Sequence, residues 1–174
     1  MPAAKKSTAG TKGLQELFLD GLKDIYYAEK KILKALPKMA RGAEAEEVQS
    51  AFQKHRDETE TQVERLEKVF ELLEKPARGK TCPAIDGIVE EGEEILEQYK
   101  GAPAVDAGLV AAAQSVEHYE IARYGTLIAW AEQLGKDDVV KLLKETLAEE
   151  EKTDKALSQL GERGVNQRAM QEMA

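Results

Sequence analysis

Acidic residues occur in the middle of helical patterns, at positions where the periodicity predicts apolar side chains. The segment "SVEHYEIARYGTLIAW" (115–130) carries Glu117 and Glu120 three residues apart, which places both carboxylates on one side of a helix. An isolated buried carboxylate is strongly destabilising unless it is protonated, paired with a cation or bound to a metal. This placement therefore indicates a buried site for cations.

The other three long helical patterns carry acids at a similar depth. In the first pattern the apolar stripe is interrupted by Glu29, and in the second no apolar residue lies between Phe52 and Val63. The fourth pattern has two acids, four residues apart, between leucines. The candidate metal ligands are therefore Glu29, His55, Glu58, Glu117, Glu120, Glu150 and Asp154.

Several carboxylates that converge at one level of a helical bundle repel one another, and two divalent cations would remove this repulsion. Five or six carboxylates can chelate and bridge two ions about 3.5 to 4 Å apart, as in dinuclear iron or manganese proteins. The sequence therefore predicts two divalent ions, iron or manganese, that react with oxygen or peroxide. Tyr27 and Tyr124 are candidate hydrogen-bond donors near this centre. His118 points about 100° away from the ligand stripe, which makes it a packing residue or a partner of a ligand.

Each candidate ligand also has a plainer interpretation when it is taken alone. Glu29 could extend outward at the boundary of the core, and Glu58 could lie in a solvated run of charge. Asp154 could pair with Lys155 or with an arginine on a neighbouring helix, and a lone histidine such as His55 is more often a core residue. The agreement in depth among four helices favours the metal site.

The helical patterns that must position these residues are separated by glycine and proline. Two long helices are followed by a connection with its own short helix, and then by two more long helices joined by a tight turn. This order is typical of a ferritin-like four-helix bundle with a long crossover between the second and third long helices. The predicted helices span 14–41, 44–75, 85–99, 105–134 and 137–160.

The composition predicts one all-α domain. The chain has 174 residues, of which 42% are hydrophobic and only 5% aromatic, and it is rich in alanine, leucine, glutamate and lysine. We expect a flexible basic tail over 1–12, the bundle over 13–162 and a loose C-terminal tail over 163–174.

Charge and hydropathy exclude several classes of partner. The net charge of −8 argues against a nucleic-acid surface, because phosphate binding needs clustered Lys and Arg. No stretch of about 18 apolar residues indicates a membrane span, and no secretory signal is recognisable, so a cytoplasmic location is expected. Cys82 is the only cysteine, which excludes an internal disulfide and a cysteine-based metal cluster.

Four blocks over about 14–160 resemble the YciE and YciF stress proteins, a bacterial ferritin-like family. They read, in order, "GLKDIYYAEKKILKALPKMA", "AFQKHRDETETQVERLEKVFE", "AAAQSVEHYEIARYGTLIAWAEQLG" and "LLKETLAEEEKTDKAL". The resemblance implies a ferritin-like fold and a role in stress protection, such as peroxide removal or iron sequestration.

Through that family the chain is also similar to the rubrerythrins. The resemblance implies one ligand on the first helix, matched by Glu29, and a Glu-x-x-Glu pair on the third, matched by Glu117 and Glu120. It further implies Glu-x-x-His on the second and fourth helices, where this chain has Thr61 and Thr153 in place of histidine. The likeness to the rubrerythrin ligand set is therefore partial.

The two departures leave two functions open. With His55 before Glu58 and Asp154 after Glu150, the centre could be complete and act as a ferroxidase or a peroxidase. Alternatively, the bundle is a redox-inactive stress or interaction protein whose acids are protonated or paired. In both cases we expect a homodimer.

Overall fold

A computed structural model describes residues 12–171, and within this range every regular element is helical. The four long helices and the crossover helix are confirmed close to their predicted limits. A π-helical segment, Gly161–Val165, follows the last long helix. The α-helices are α1 (Leu14–Gly42), α2 (Glu46–Leu72), α3 (Pro83–Gln98), α4 (Val105–Gln133), α5 (Asp137–Leu160) and α6 (Asn166–Arg168).

The four long helices form a closed bundle. Helix α1 packs against α2 and α4, and α5 completes the ring because it contacts both α2 and α4. The crossover helix α3 lies over α1 and α4. The chain therefore folds as the predicted all-α bundle, in which the crossover connects the diagonally placed helices α2 and α4.

The core is apolar on both sides of a polar middle layer. Along α1, Phe18, Leu22 and Ile25 are buried before Glu29, and Ile32 is buried after it. Along α4, apolar side chains likewise flank two buried glutamates. Burial of each large apolar side chain stabilises the fold by roughly 1.5 to 3 kcal/mol. These apolar layers hold the helices in place around the polar layer.

Two glycines allow the crossover helix to approach the bundle closely. A Cβ atom on Gly42 would lie 2.1 Å from a Leu96 methyl group, and one on Gly108 would lie 2.5 Å from Ile95. Both distances are far below van der Waals contact, so a side chain at either glycine would require Leu96 or Ile95 to move. The two glycines thus allow α3 to lie close over one face of the bundle.

The C-terminal segment is more ordered than the sequence predicts. Helical structure continues to Arg168, which pairs with Glu47 at 2.7 Å, and Val165 is buried. The expectation of a loose tail from residue 163 is therefore wrong up to Arg168, because Val165 provides an apolar anchor. Residues 1–11 of the predicted basic tail and residues 172–174 lie outside the described range. None of the helices between 12 and 171 is long and apolar enough to cross a membrane.

Candidate metal centre

Five polar side chains from the four long helices meet in the middle of the bundle. They are Glu29 from α1, His55 from α2, Glu117 and Glu120 from α4, and Glu150 from α5, and we call them the inner cluster. The four glutamates have no exposed surface, and His55 is 4% exposed. All of them except Glu29 offer ligand atoms that lie within 4.8 Å of one another. The structure thus brings together five of the seven predicted ligands.

Most polar atoms of the inner cluster lack a hydrogen-bond partner. Both carboxylate oxygens of Glu117, Glu120 and Glu150 are buried without one, and so are Oε2 of Glu29 and Nε2 of His55. Buried polar atoms without a partner are rare in folded proteins, and each one requires an explanation. Here they all belong to residue types that bind metals, so cations are the partners that this geometry would accept.

Burial raises the pKa of all four glutamates. For Glu117 the pKa is raised to about 8, first by desolvation and then by the charges of neighbouring acids. The pKa values of Glu29, Glu120 and Glu150 lie well above 4.5 for the same main reason. Glu29 contacts Glu120, and Glu117 contacts Glu150, so a shared proton can join each pair. Divalent cations would replace these protons and convert the carboxyl groups into ligands.

His55 is held in the form that binds metals. Burial lowers the pKa of its imidazole to about 4, with a smaller effect in the same direction from Lys54. Its Nδ1 atom lies 3.1 Å from Oε1 of Glu117. The ring is therefore neutral at pH 7, and neutral imidazole is the species that coordinates metal ions.

Tyr124 is the one hydroxyl group that hydrogen-bonds to a carboxylate of the inner cluster within the described residues. Its fully buried OH donates to Oε1 of Glu29, as expected. Burial and the nearby acids raise the pKa of this phenol well above 10, so it keeps its proton. The prediction for Tyr27 is wrong, because its hydroxyl donates instead to Asp86 at 2.9 Å, outside the cluster.

The structure places Glu58 and Asp154 at the outer edge of the inner cluster. Their side chains are 25% and 23% exposed. Glu58 accepts hydrogen bonds from Lys54 at 2.7 Å and from Thr153 at 3.4 Å. Asp154 Oδ1 lies 3.1 Å from Nε2 of His118, which is largely exposed. Both acids still act on the pKa of Glu117 through their charge, and their role as ligands stays a prediction.

A cation that the sequence patterns did not indicate, Arg65, lies next to the inner cluster. Arg65 on α2 is 12% exposed and donates two hydrogen bonds to Glu149, at 2.9 and 3.0 Å, and one to Thr146 at 2.7 Å. Gln62 donates to the same glutamate at 3.1 Å. The spacing of three between Gln62 and Arg65 is the only sequence signal of this group. Arg65 slightly lowers the pKa of Glu29, but its guanidinium hydrogen-bonds to Glu149 and Thr146.

Three comparisons with known proteins agree on the relationship. The family model "Domain of unknown function (DUF892)" matches residues 13–170. The protein YciF of Escherichia coli K12 is 44% identical over 159 residues, which cover 91% of this chain and 96% of YciF.

Solved structures show the same relationship in the fold. The E. coli stress protein YciF superimposes with a TM-score of 0.85 at 44% identity, over 90% of this chain and 99% of that one. YcfI from Rhodopseudomonas palustris, described as a proposed structural protein, gives 0.82 at 46% identity, over 88% and 98%. A protein from Xanthomonas campestris, 23% identical over 89% and 94% of the two chains, shares the fold with a TM-score of 0.69.

Proposed function

The chain belongs to the DUF892 family and is related to the YciF stress protein, and on this premise we propose that it is a dinuclear metalloprotein. In this proposal the inner cluster binds two divalent ions, iron or manganese, and the bound metal reacts with oxygen or peroxide under stress. The relative from E. coli is described as a stress protein. The homodimer and the cytoplasmic location belong to the same proposal.

The observation that carries the proposal is the set of unpartnered ligand atoms in the inner cluster. Both carboxylate oxygens of Glu117, Glu120 and Glu150 are buried without a hydrogen-bond partner, and one oxygen of each lies within 4.8 Å of the others and of a His55 nitrogen. With Glu29, the four glutamates carry four negative charges when ionised, which two divalent cations would neutralise. One ion would leave two buried negative charges without compensation, so the charge balance favours two.

The donor set suits iron and manganese. Carboxylates are hard oxygen ligands that favour such cations, and one imidazole also suits Fe(II). When bound, these metals supply oxidation and reduction with oxygen or peroxide. Meanwhile the surrounding apolar layers exclude water, and Tyr124 orients Glu29 and keeps a proton on its own oxygen. Glu58 and Asp154, at the outer edge, would be additional ligands or would attract cations.

A second candidate function is that of a redox-inactive structural or interaction protein. It is favoured by Thr61 and Thr153, which stand where rubrerythrin-like proteins have histidine, and by the description of the R. palustris relative. In this case each pair of glutamates would share a proton permanently, and no metal would be needed for stability.

Metal content separates the two functions. We expect about two iron or manganese ions per chain, by elemental analysis, in protein purified without chelator or loaded anaerobically. Glu150→Gln should lose most of this metal. Glu151→Gln removes the same charge from the next residue, which is exposed, and should bind as much metal as the wild type. Wild-type protein that retains no more metal than the chelator-treated sample would support the second function.

A stability measurement provides an independent check. Two sites at a metal concentration one hundred times their Kd should stabilise the wild type by about 5 kcal/mol. Denaturant unfolding with and without Mn(II) measures this difference. Glu150→Gln should show a much smaller increase, and an equal increase in both proteins would place the metal elsewhere.

A further inference from the structure

A partly open apolar cavity of about 40 Å³ lies between α3 and the long helices, next to the inner cluster. Residues from α1, α2, α3 and α4 line it, and His55 is the only polar side chain among them. The lining includes Ile32, Met39, Phe52, His55, Leu109 and Ala113. The cavity and the inner cluster therefore share one residue, His55.

The size and the lining of the cavity indicate which small molecules it can bind. One water molecule needs about 10 to 15 Å³ of such space, so the cavity holds a molecule of only a few heavy atoms. A water molecule here would find a single polar side chain, whereas buried waters usually make about three hydrogen bonds. An apolar lining of this kind favours apolar gases such as xenon over water. Hydrogen peroxide, which needs several hydrogen-bond partners, does not fit this lining.

The crossover helix closes the cavity on one side. Ile88, Val89 and Gly92 of α3 contribute to the lining. A Cβ atom on Gly92 would lie 3.4 Å from both Met39 and Ala112, so the wall is already closely packed there. The close approach of α3 to the bundle thus covers one side of an apolar space beside the imidazole.

We propose that this cavity binds dioxygen on the His55 side of the inner cluster. His55 lines the cavity, its Nδ1 atom lies 3.1 Å from Glu117, and its Nε2 atom has no hydrogen-bond partner. Dioxygen is apolar and diatomic, so it matches both the volume and the lining. The inference rests on the proposed function, since the bound gas would be the reactant of the metal centre. It goes further because it assigns this cavity to oxygen and not to peroxide.

Xenon tests the cavity without any metal. Crystals of the metal-free protein under xenon pressure should show one xenon atom in contact with Ala113. Ala113→Leu should fill the space and abolish this peak, and Ala113→Val does so with less added volume if the leucine variant does not fold. Ala122→Leu adds the same atoms at an exposed position of α4 and should keep the xenon. An empty or water-filled cavity in the wild type, or xenon retained in a folded Ala113 variant, would overturn the proposal.

Oxygen consumption by the Fe(II)-loaded protein then tests the link to the metal. We expect Ala113→Leu to raise the KM for oxygen several-fold at an unchanged kcat, and to leave the dependence on peroxide unchanged. An unchanged KM for oxygen in a variant that has lost xenon would overturn the proposal. Xenon binding in a protein that retains no metal would disprove the proposed function alone, whereas metal binding without xenon would disprove the cavity proposal alone.

Discussion

Helix α4 carries two kinds of buried carboxylate, and their surroundings differ completely. Asp106, in the first turn, is 6% exposed and accepts hydrogen bonds from the backbone N–H groups of Glu44 at 2.8 Å and Ala45 at 2.9 Å. Glu117 and Glu120, further along the helix, are fully buried and accept none. Burial of an acid is therefore not a sign of function by itself, whereas burial without a hydrogen-bond partner requires a separate explanation.

The position along the helix explains the difference. Asp106 lies where the chain before α2 presents free N–H groups, and a negative charge in the first turn is also favourable for the helix dipole. In the middle of a bundle all backbone N–H groups are used within the helices. Glu117 and Glu120 can therefore be satisfied only by side chains, protons or bound ions.

Among these substitutions, the largest effect on stability should come from Asp106, the carboxylate that accepts hydrogen bonds. Asp106→Ala removes two charge-assisted hydrogen bonds and should lower the free energy of unfolding by about 3 kcal/mol. Its metal content should equal that of the wild type. Urea unfolding and elemental analysis measure both quantities.

The matched control for this change is Asp137→Ala, which removes an exposed acid from the first turn of α5. It should lower the stability by no more than about 1 kcal/mol. If the Asp106→Ala protein were folded but had lost its metal, Asp106 would also contribute to metal binding, and the two kinds of carboxylate would not differ in role.

Much of the fold and part of the candidate site could be predicted from the sequence. The helix limits follow from apolar periodicity and from glycine and proline, and most lie within two residues of the structure. The largest difference is the end of α2, which stops at Leu72 because Glu74 adopts a left-handed conformation with φ of 54°. The inward orientation of Glu29, Glu117 and Glu150 could be predicted because each interrupts an apolar stripe. The apolar residues before and after each glutamate fix which side of the helix faces the core.

On the second helix, apolar periodicity does not identify the inward-facing residues. Between Phe52 and Val63 no apolar residue fixes which side faces inward. His55, Thr59 and Gln62 are buried in the structure, whereas Glu58, one position from Thr59, is turned toward the edge. The role of Asp106 could not be predicted at all, because its partners lie 61 and 62 residues away.

The pH dependence of stability should reveal the unpartnered acids. A carboxyl group with a pKa raised from 4.5 to about 8, as in Glu117, stabilises the fold below its unfolded pKa and loses this contribution as the pH rises. His55, with a pKa lowered to about 4, acts in the opposite direction, but only up to about pH 6.5. From pH 6.5 to 8 the metal-free protein should therefore lose about 1 kcal/mol per pH unit through Glu117, with the slope decreasing as the pH approaches 8.

Urea unfolding of the metal-free protein at several pH values between 6.5 and 8 measures this slope. Glu117→Gln should remove the contribution of one group, and Glu151→Gln, at an exposed site, should leave the slope unchanged. A wild-type stability that does not fall through this interval would mean that the inner acids are already ionised in the folded protein, and that a partner other than a proton holds them.

The smallest effect concerns the one hydroxyl group that already partners an inner acid. Tyr124→Phe removes the hydrogen bond to Glu29 and should lower the stability of the metal-free protein by about 1 kcal/mol. With metal bound the loss should be smaller, because a cation would then compensate the charge of Glu29. Tyr26→Phe is the matched control, since its hydroxyl donates to Glu67 at 2.8 Å away from the inner cluster. The effect of Tyr26→Phe should not depend on metal. If the effects of both substitutions depended equally on metal, Glu29 would not belong to the metal centre.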